Sequence, residues 1–430
     1  MARIAFFSPL PPNPSGISDY SAVILPALAA RHDVHLYYDR QTPPLRALLP
    51  DLKRFPHDEF IWRAQQQPYD LNVYQMGNSL HHAYMHPFVF HHPGLLVLHD
   101  LVIHHARGHV LLKNGRQVEY RNELEYCHPG LGRQVGDILA FIPSDFTCYQ
   151  FPMNKLMVDC SLAAATHTTF GVHEVQAASP GKPVLHIRHP RFTDVPLQPD
   201  LLCRYHLEDA WPVLASFGFI TAQKRIEACL NATMMLRTRF PRIKYLLVGG
   251  HPKHFNPRRL VRKLGIEDVV TMTGRVEEEV FNSLYHAASI VLNLRYPSAR
   301  EMSGTLLRAL GAGCVTLVSE QLHLSDIPAD IAVRVPLFDE ADAIARIVED
   351  LMADEMKFQD RRRRAREFIE NHHRVEQSAA DYFAAIDAAL EARHRYERPG
   401  NVPVHIQPLS EWIRTSLPAG FPDGVIPRWL

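Results

Sequence analysis

The feature that narrows this chain most is a rhythm. Short runs rich in leucine and β-branched residues alternate with helix-length segments, and the pattern occurs twice. Strand, helix, strand is the repeating unit of a parallel sheet with helices on both faces. In the first half, 4–7, 34–37, 71–74, 95–98 and 184–187 read as strands. In the second half 213–217, 245–248, 269–273, 290–294 and 315–318 do, with helices expected at 225–237, 257–264, 277–287 and 305–310. The stretch 107–153, interrupted by Gly, Pro and Tyr, reads as loops and short helices. Three prolines within 188–199 mark a linker. Beyond residue 341 come three helical segments, and in the last of them Tyr382, Ile386 and Leu390 recur at every fourth position as one apolar stripe.

The expected fold is therefore α/β, with two Rossmann-like, doubly wound parallel-sheet domains. The expected boundaries are 1–195, 196–374, a helix over 375–396 crossing back to the first domain, and a proline-rich tail over 397–430. Trp412 and Trp429 are the tail's candidate anchors. A length of 430 residues suits two or three domains at roughly 150 residues each.

Charge and composition exclude several functions. Lysine plus arginine and aspartate plus glutamate both number 46, so the formal charge is zero. That balance argues against bulk nucleic acid or an acidic membrane surface as the main partner. The longest apolar runs, 94–98 and 288–292, fall well short of the roughly 18–20 residues of a spanning helix. The N-terminus lacks the apolar segment of a signal peptide. Cys127, Cys148, Cys160, Cys203, Cys229 and Cys314 are scattered without a CxxC spacing, so reduced thiols and a cytoplasmic location are expected. The 26 histidines fall partly in adjacent pairs, yet no HExxH or HxH spacing occurs and no metal is expected. The basic run 361–364 lies among Asp360, Glu367 and Glu370 and reads as a solvated helix face.

In open α/β sheets, ligands bind at loops leaving the carboxyl ends of strands. After the first strand, a proline-stiffened loop reaches Ser15-Gly16 just before a helix. A glycine there admits a ligand close to the backbone, and the helix start offers amides to an anion. After 213–217, the loop from Gly218 delivers Lys224 to the start of a helix. After 290–294, the chain reads Arg295-Tyr296-Pro297-Ser298-Ala299-Arg300-Glu301-Met302-Ser303-Gly304-Thr305 before a short helix. Ser303 can cap that helix, and Gly304 and Thr305 present amides to a diphosphate. Arg295 and Arg300 add positive charge, and Glu301 can accept hydrogen bonds from sugar hydroxyls. Finally, His99 and Asp100 leave an apolar strand at its carboxyl end.

Taken together, these motifs resemble retaining glycosyltransferase family 4, built on the GT-B fold. They are Pro12 to Ser21 (Pro-x-x-Ser-Gly-Ile-x-Asp-Tyr-Ser), Tyr74 to Asn78, Val97 to Asp100, Phe217 to Lys224, Leu247 to Gly250, Thr273 to Val276 and Arg295 to Gly313. The resemblance spans about residues 1–395. It implies two domains facing across a cleft, a nucleoside-diphosphate sugar donor bound mainly by the second, and transfer to an acceptor hydroxyl with retained anomeric configuration and no metal or other cofactor. By that resemblance His99 faces the transferred sugar, Glu301 contacts it, and Lys224 neutralises the diphosphate. Gly16, Gly218, Val276, Arg300, Ser303, Gly304, Thr305 and Leu306 fall on the donor side, Asn78 and Asp100 on the acceptor side. The expected partners are the donor and a glycan, lipid-linked or small-molecule acceptor, with no nucleic acid; peripheral contact with a membrane is left open. Two positions depart from the pattern. Ala309 stands where a second glutamate would contact the ribose, and Phe219 where a second diphosphate cation would follow Gly218. These departures keep an alternative open, a catalytically degenerate sugar-nucleotide-binding subunit of a glycosylation complex.

Overall fold

A computed structural model of the chain describes residues 1–45, 49–397, 399 and 402–403. The expected tail anchors Trp412 and Trp429 lie outside the described residues. The described chain forms two units. The first comprises Met1–Arg188, Ala299–Glu301 and the chain from Val375 onward; the second comprises His189–Ser298 and Met302–Arg374.

The first unit is built on seven strands: β1 Arg3–Phe7, β2 Asp33–Tyr38, β3 Lys53–Pro56, β4 Leu71–Met76, β5 Leu95–Leu98, β6 Ala163–Thr166 and β7 Val184–His186. Their order is β3-β2-β1-β4-β5-β6-β7 and every pairing is parallel. Alternation along β1 splits its side chains between two cores. Ile4 and Phe6 face one, Ala5 and Phe7 the other. The helix Val375–Arg393 closes the Ile4 side with Ala379, Tyr382, Ala385, Ile386 and Ala389. Burying Tyr382 and Ile386 completely contributes roughly 1.5–3 kcal/mol each. Asp381 fastens the same helix by accepting both Nε and Nη2 of Arg188, at 2.7 and 2.8 Å.

The second unit has six strands: β8 Val213–Phe217, β9 Lys244–Val248, β10 Val270–Gly274, β11 Ile290–Leu292, β12 Val315–Ser319 and β13 Ala332–Val335. Their order is β10-β9-β8-β11-β12-β13, again all parallel. Each sheet therefore reverses its winding once, between β1 and β4 in the first and between β8 and β11 in the second. Such a switch point opens a crevice at the carboxyl ends of the two strands, where ligands of doubly wound sheets bind.

Three expectations need revision. The stretch 107–153 is mostly helical: His104–Lys113, Gln117–Cys127, Gly132–Phe141 and Asp145–Gln150. Gly115 and Gly130, at φ +70° and +84°, turn the chain between these helices, whereas Gly132 is a packing contact, because a Cβ there would collide with the backbone of Leu124 on the facing helix. The second unit begins at His189 rather than at 196, because the linker is bonded to it: Arg191 N donates to His373 O, Ser283 Oγ to Pro196 O at 3.0 Å, and Asp194 meets His286 at 2.7 Å. Ala299–Glu301 groups with the first unit, since its Ala299 carbonyl accepts the amides of Leu101 and Val102 at 2.9 and 3.2 Å. All six cysteines are free thiols. Among the described residues no helix is long and apolar enough to cross a membrane.

Candidate functional site

In the second unit, the switch point brings together the loop after β8 and the loop after β11. Gly218 leaves β8 with φ +87°, a left-handed value that suits glycine. One turn later, Ala222–Lys224 folds Lys224 back so that its ammonium donates to the carbonyl of Phe217. A Cβ on Gly218 would lie 2.8 Å from Lys224 Nζ and 3.5 Å from the Thr305 methyl. Gly218, Lys224 and Thr305 thus line one small space. On its other side stands the helix Gly304–Gly311, capped by Ser303, whose Oγ accepts Leu306 N at 3.3 Å. Because the carbonyl of Ser303 also accepts Leu306 N at 3.0 Å, that amide is spent inside the cap. The amides of Gly304 and Thr305 belong to the first turn, which has no intrahelical partner for them.

A polar ladder holds this helix start in place. Asn293 Oδ1 accepts Thr305 Oγ1 at 2.9 Å, Ser303 and Thr305 hydroxyls lie 2.9 Å apart, and Arg295 Nη2 donates to both, at 2.8 and 3.2 Å. Arg295 is itself pinned by Ser319 Oγ on its amide at 3.0 Å and by Gln321 on its carbonyl. Of the two arginines expected to add charge here, Arg295 reaches Ser303 and Thr305, whereas Arg300 pairs with Glu174 of the first unit at 2.9 Å. Arg300 has φ +61°, an uncommon value for a residue with a side chain, and it sharpens the bend just before the half-buried Glu301. Val276 is half-buried beyond β10 and packs on the core that holds Phe217 and Val291. Ala309 is fully buried in that core, so its side chain has no access to a ligand. Sequence reasoning missed its neighbour Arg308. That guanidinium stacks 3.5 Å from the Phe192 ring, lies 3.6 Å from Glu278 and sits 3.7 Å from where a Gly304 Cβ would be. Phe219, in place of a cation, is exposed.

The space beside Gly218 has no room for a methyl group, and this gives a first test. Gly218→Ala forces a left-handed backbone on a residue with a Cβ and displaces the Lys224 ammonium, so kcat/KM for the reaction proposed below should fall about tenfold or more. Turnover measured beside a melting curve separates this local effect from loss of fold.

In the first unit, Ser15 caps the helix Gly16–Ala29 by accepting Ile17 N at 3.3 Å, and the space around Gly16 is open. Asn78 and Asp100 serve each other: Asp100 Oδ2 accepts Asn78 N at 2.6 Å, while the Asn78 side chain accepts Ala106 N at 3.2 Å and meets His105 Nδ1 at 2.9 Å. They lock the ends of β4 and β5 to the start of the helix His104–Lys113. His99 is buried at 8% exposure, with Nε2 at 2.8 Å from Gln75 Oε1 and Nδ1 at 3.2 Å from His167 Nε2. Gln75 and His167 escaped sequence reasoning as site residues; His167 directly follows β6, whose alanine-rich text carries no strand signal. Among the described residues no group of three or more His, Cys, Asp or Glu is placed to hold a metal ion.

Residues 212–354 match the family model described as Glycosyl transferases group 1. An α-D-kanosaminyltransferase of Streptomyces kanamyceticus is 27% identical over 157 residues, which is 34% of this chain and only 39% of that relative's length. Sucrose-phosphate synthase from Thermosynechococcus elongatus superimposes with TM-score 0.61 at 16% identity, over 91% of this chain and 100% of that one. HepE of Anabaena, solved in complex with UDP and glucose, gives TM-score 0.62 at 13% identity, over 90% of this chain and 100% of its own. At such identities the likeness is one of fold. Over 212–354 the chain thus matches the group 1 glycosyltransferases, and its two parallel-sheet units have the GT-B glycosyltransferase fold.

Proposed function

We propose that this protein is a glycosyltransferase that moves a sugar from a nucleoside-diphosphate sugar to an acceptor hydroxyl, with retained anomeric configuration and without a metal ion. The observation that carries this reading is the small space at the β8/β11 switch point, lined by Gly218, Lys224 and Thr305 and backed by the first turn of the Gly304 helix. The Lys224 ammonium stands there beside a helix start whose first amides have no intrahelical partner, and both features favour phosphate. The kanosaminyltransferase match, and a GT-B relative solved with UDP and glucose, support a sugar nucleotide as the source of that phosphate.

As the bond from sugar to diphosphate breaks, negative charge grows on the leaving oxygen. Lys224 and the amides of Gly304 and Thr305 are already oriented to receive it, so little reorganisation is needed. Charge stabilisation comes from fixed protein groups, which is why the reading needs no metal. In a front-face path the leaving phosphate oxygen accepts the proton of the attacking hydroxyl, so no separate protein base is required. Glu301 binds the sugar hydroxyls, and His99 faces the sugar ring as it takes on oxocarbenium character.

The test combines binding and turnover. A melting-temperature panel with UDP, GDP, ADP and dTDP sugars in EDTA should show one base raising the midpoint, because a ligand that binds only the native state stabilises it. With the donor so identified, proton NMR of the product should show the anomeric coupling of the donor retained. An inverted coupling, or activity that appears only on adding a divalent cation, would refute the corresponding part.

A further inference from the structure

The chain carries two dense basic runs, and the fold treats them oppositely. The run 361–364 is matched cation by cation. Arg361 donates to Asp330 O at 2.9 Å and Arg362 to Gly313 O at 2.8 Å, while Arg363 meets Asp360 and Glu367, and Arg364 meets Asp330. The other run lies in the second unit, around the helix Pro257–Leu264 between β9 and β10. From 251 to 266 the sequence holds Lys253, Arg258, Arg259, Arg262 and Lys263 but no aspartate or glutamate. All five side chains are exposed, and among the described residues none of them makes an ion pair or a side-chain hydrogen bond. The next acids along the chain are Glu267 and Asp268, and Asp268 is taken by Arg237 at 2.6 Å. In a chain whose charges balance, 46 against 46, this is a segregated patch.

Packing explains which way the arginines point, but not why they are arginines. Pro257 and Val261 are buried, and Leu260 and Leu264 pack with Val261 on the core that holds Tyr245 and Leu247. The cations are thereby turned to the outer face. A stable solvated face mixes signs, with opposite charges four residues apart. Here Arg258 and Arg262 stand four apart, as do Arg259 and Lys263, and both pairs repel. Arg258 and Arg259 also occupy the first turn, where the helix dipole favours anions. Local rules broken together in a folded chain point to a functional position. An anion held among the arginines offsets all of these costs at once.

The same residues enclose a space. Asn256, Arg258, Arg259 and Arg262 line a groove of about 350 Å³. That is near the lower end of the roughly 300–1,000 Å³ typical of small-molecule sites. Its lining has no aromatic or aliphatic residue, so it suits neither a base nor an acyl chain. Asn256 Oδ1 accepts Arg258 N at 3.0 Å, which leaves the carboxamide NH2 as the end that donates. A guanidinium fork pairs with two oxygens of a carboxylate or a phosphate. Three forks exceed what the two oxygens of a carboxylate can take. A phosphomonoester offers three acceptor oxygens and close to two negative charges.

We propose that this groove binds the phosphate group of a phosphorylated ligand through Arg258, Arg259, Arg262 and Asn256. None of these residues belongs to the cradle of Gly218, Lys224 and Thr305, and the inference does not depend on the function proposed above. A phosphomonoester occurs both on small soluble molecules and on lipid headgroups, and the two sources call for separate probes.

The experiment uses the full chain carrying Lys224→Ala, so that the phosphate cradle at β8 and β11 is disabled. Its melting midpoint is read with inorganic phosphate, against acetate at equal ionic strength, and its sedimentation with vesicles of phosphatidylcholine, with and without phosphatidic acid. Phosphate should raise the midpoint where acetate does not, or phosphatidic acid should carry the protein down where phosphatidylcholine alone does not. The first result names a soluble ligand and the second a lipid headgroup. Adding Arg259→Gln and Arg262→Gln removes two forks and relieves like-charge repulsion. The unliganded midpoint should then stay level or rise, while affinity falls about tenfold or more. Arg259→Lys with Arg262→Lys keeps the charge without the forks and should bind with intermediate affinity. It decides the matter if the glutamine variant does not fold. No response to either probe, a response undiminished in both variants, or retention of single-stranded RNA alone would overturn the inference.

Discussion

Lys224→Ala is expected to lower kcat/KM for transfer by about 10²–10³-fold while leaving the fold intact. The size follows from what the side chain does. Its ammonium is the cation that a turn of backbone brings against Gly218 and Thr305, beside the first turn of the Gly304 helix. Removing it leaves the two amides to receive a developing phosphate charge alone. Nucleoside diphosphate affinity should fall less than turnover, by roughly the tenfold or more that one charge-assisted hydrogen bond contributes. The difference arises because negative charge on the leaving oxygen is greater in the transition state than in the bound donor. Lys224→Arg keeps the charge but brings a planar fork into a space with no spare room, so an intermediate loss is expected. The side chain sits on a short turn and belongs to neither core, which predicts a melting midpoint close to that of the wild type. Steady-state turnover and calorimetric titration with the donor's diphosphate check both parts. Unaltered turnover in a folded Lys224→Ala protein would remove the cradle from the mechanism.

The doubly wound fold was legible because its strands announce themselves. Val213–Phe217 and Leu95–Leu98 are buried, largely apolar runs bounded by turn signals, and both are interior strands of their sheets. Two of the strands that escaped do not look like strands. Ala163–Thr166 is fully buried between β5 and β7, but alanine has low β propensity, and only its neighbours make it a strand. Lys53–Pro56 is an edge strand ending in proline, a place where sheets tolerate that residue. The helices over 104–150 were hidden because their glycines differ in role: Gly115 and Gly130 turn the chain between helices, while Gly132 and Gly136 serve close approach to a partner helix, which the local text does not reveal.

The candidate site divides in the same way. Gly218 with Lys224, and Ser303 with Gly304 and Thr305, are local patterns in which strand end, turn and helix start follow within a few residues. Their meeting needs only the sheet order. Arg295 and Arg300 looked interchangeable, and only the fold sends the first to Ser303 and the second to Glu174. The ring around His99 was out of reach. Gln75 is 24 residues before it, His167 68 after it, and Tyr382 bonds to Gln75 across 307 residues. No periodicity or spacing rule links such positions; they meet because parallel strands and a returning helix deliver them to one edge of a sheet.

The largest single effect should come from Glu301. This carboxylate stands at the end of a bend set by the left-handed backbone of Arg300, two residues before the Ser303 cap. An acid so close in sequence to a helix start built for anions would weaken phosphate binding if it pointed at the phosphate, so its presence needs a compensating role. Accepting hydrogen bonds from the sugar hydroxyls is that role in the proposed mechanism, and it orients the anomeric carbon for attack. Glu301→Gln keeps the size and one acceptor oxygen but loses the charge, and charged acceptors bind hydroxyls about twice as strongly as neutral ones. Glu301→Ala loses orientation as well. The expected result is a fall in kcat of about 10²-fold for glutamine and of about 10³-fold or more for alanine, since misplacing a reacting centre by an ångström is itself worth about 10². Affinity for the nucleoside diphosphate, which lacks the sugar, should stay within a factor of about three in either variant or rise slightly, because a negative charge near the phosphates is gone. That contrast is the discriminating measurement: sugar-nucleotide turnover collapses while diphosphate binding holds. If instead both variants lose diphosphate affinity and turnover in parallel, or keep full turnover, Glu301 does not read the sugar.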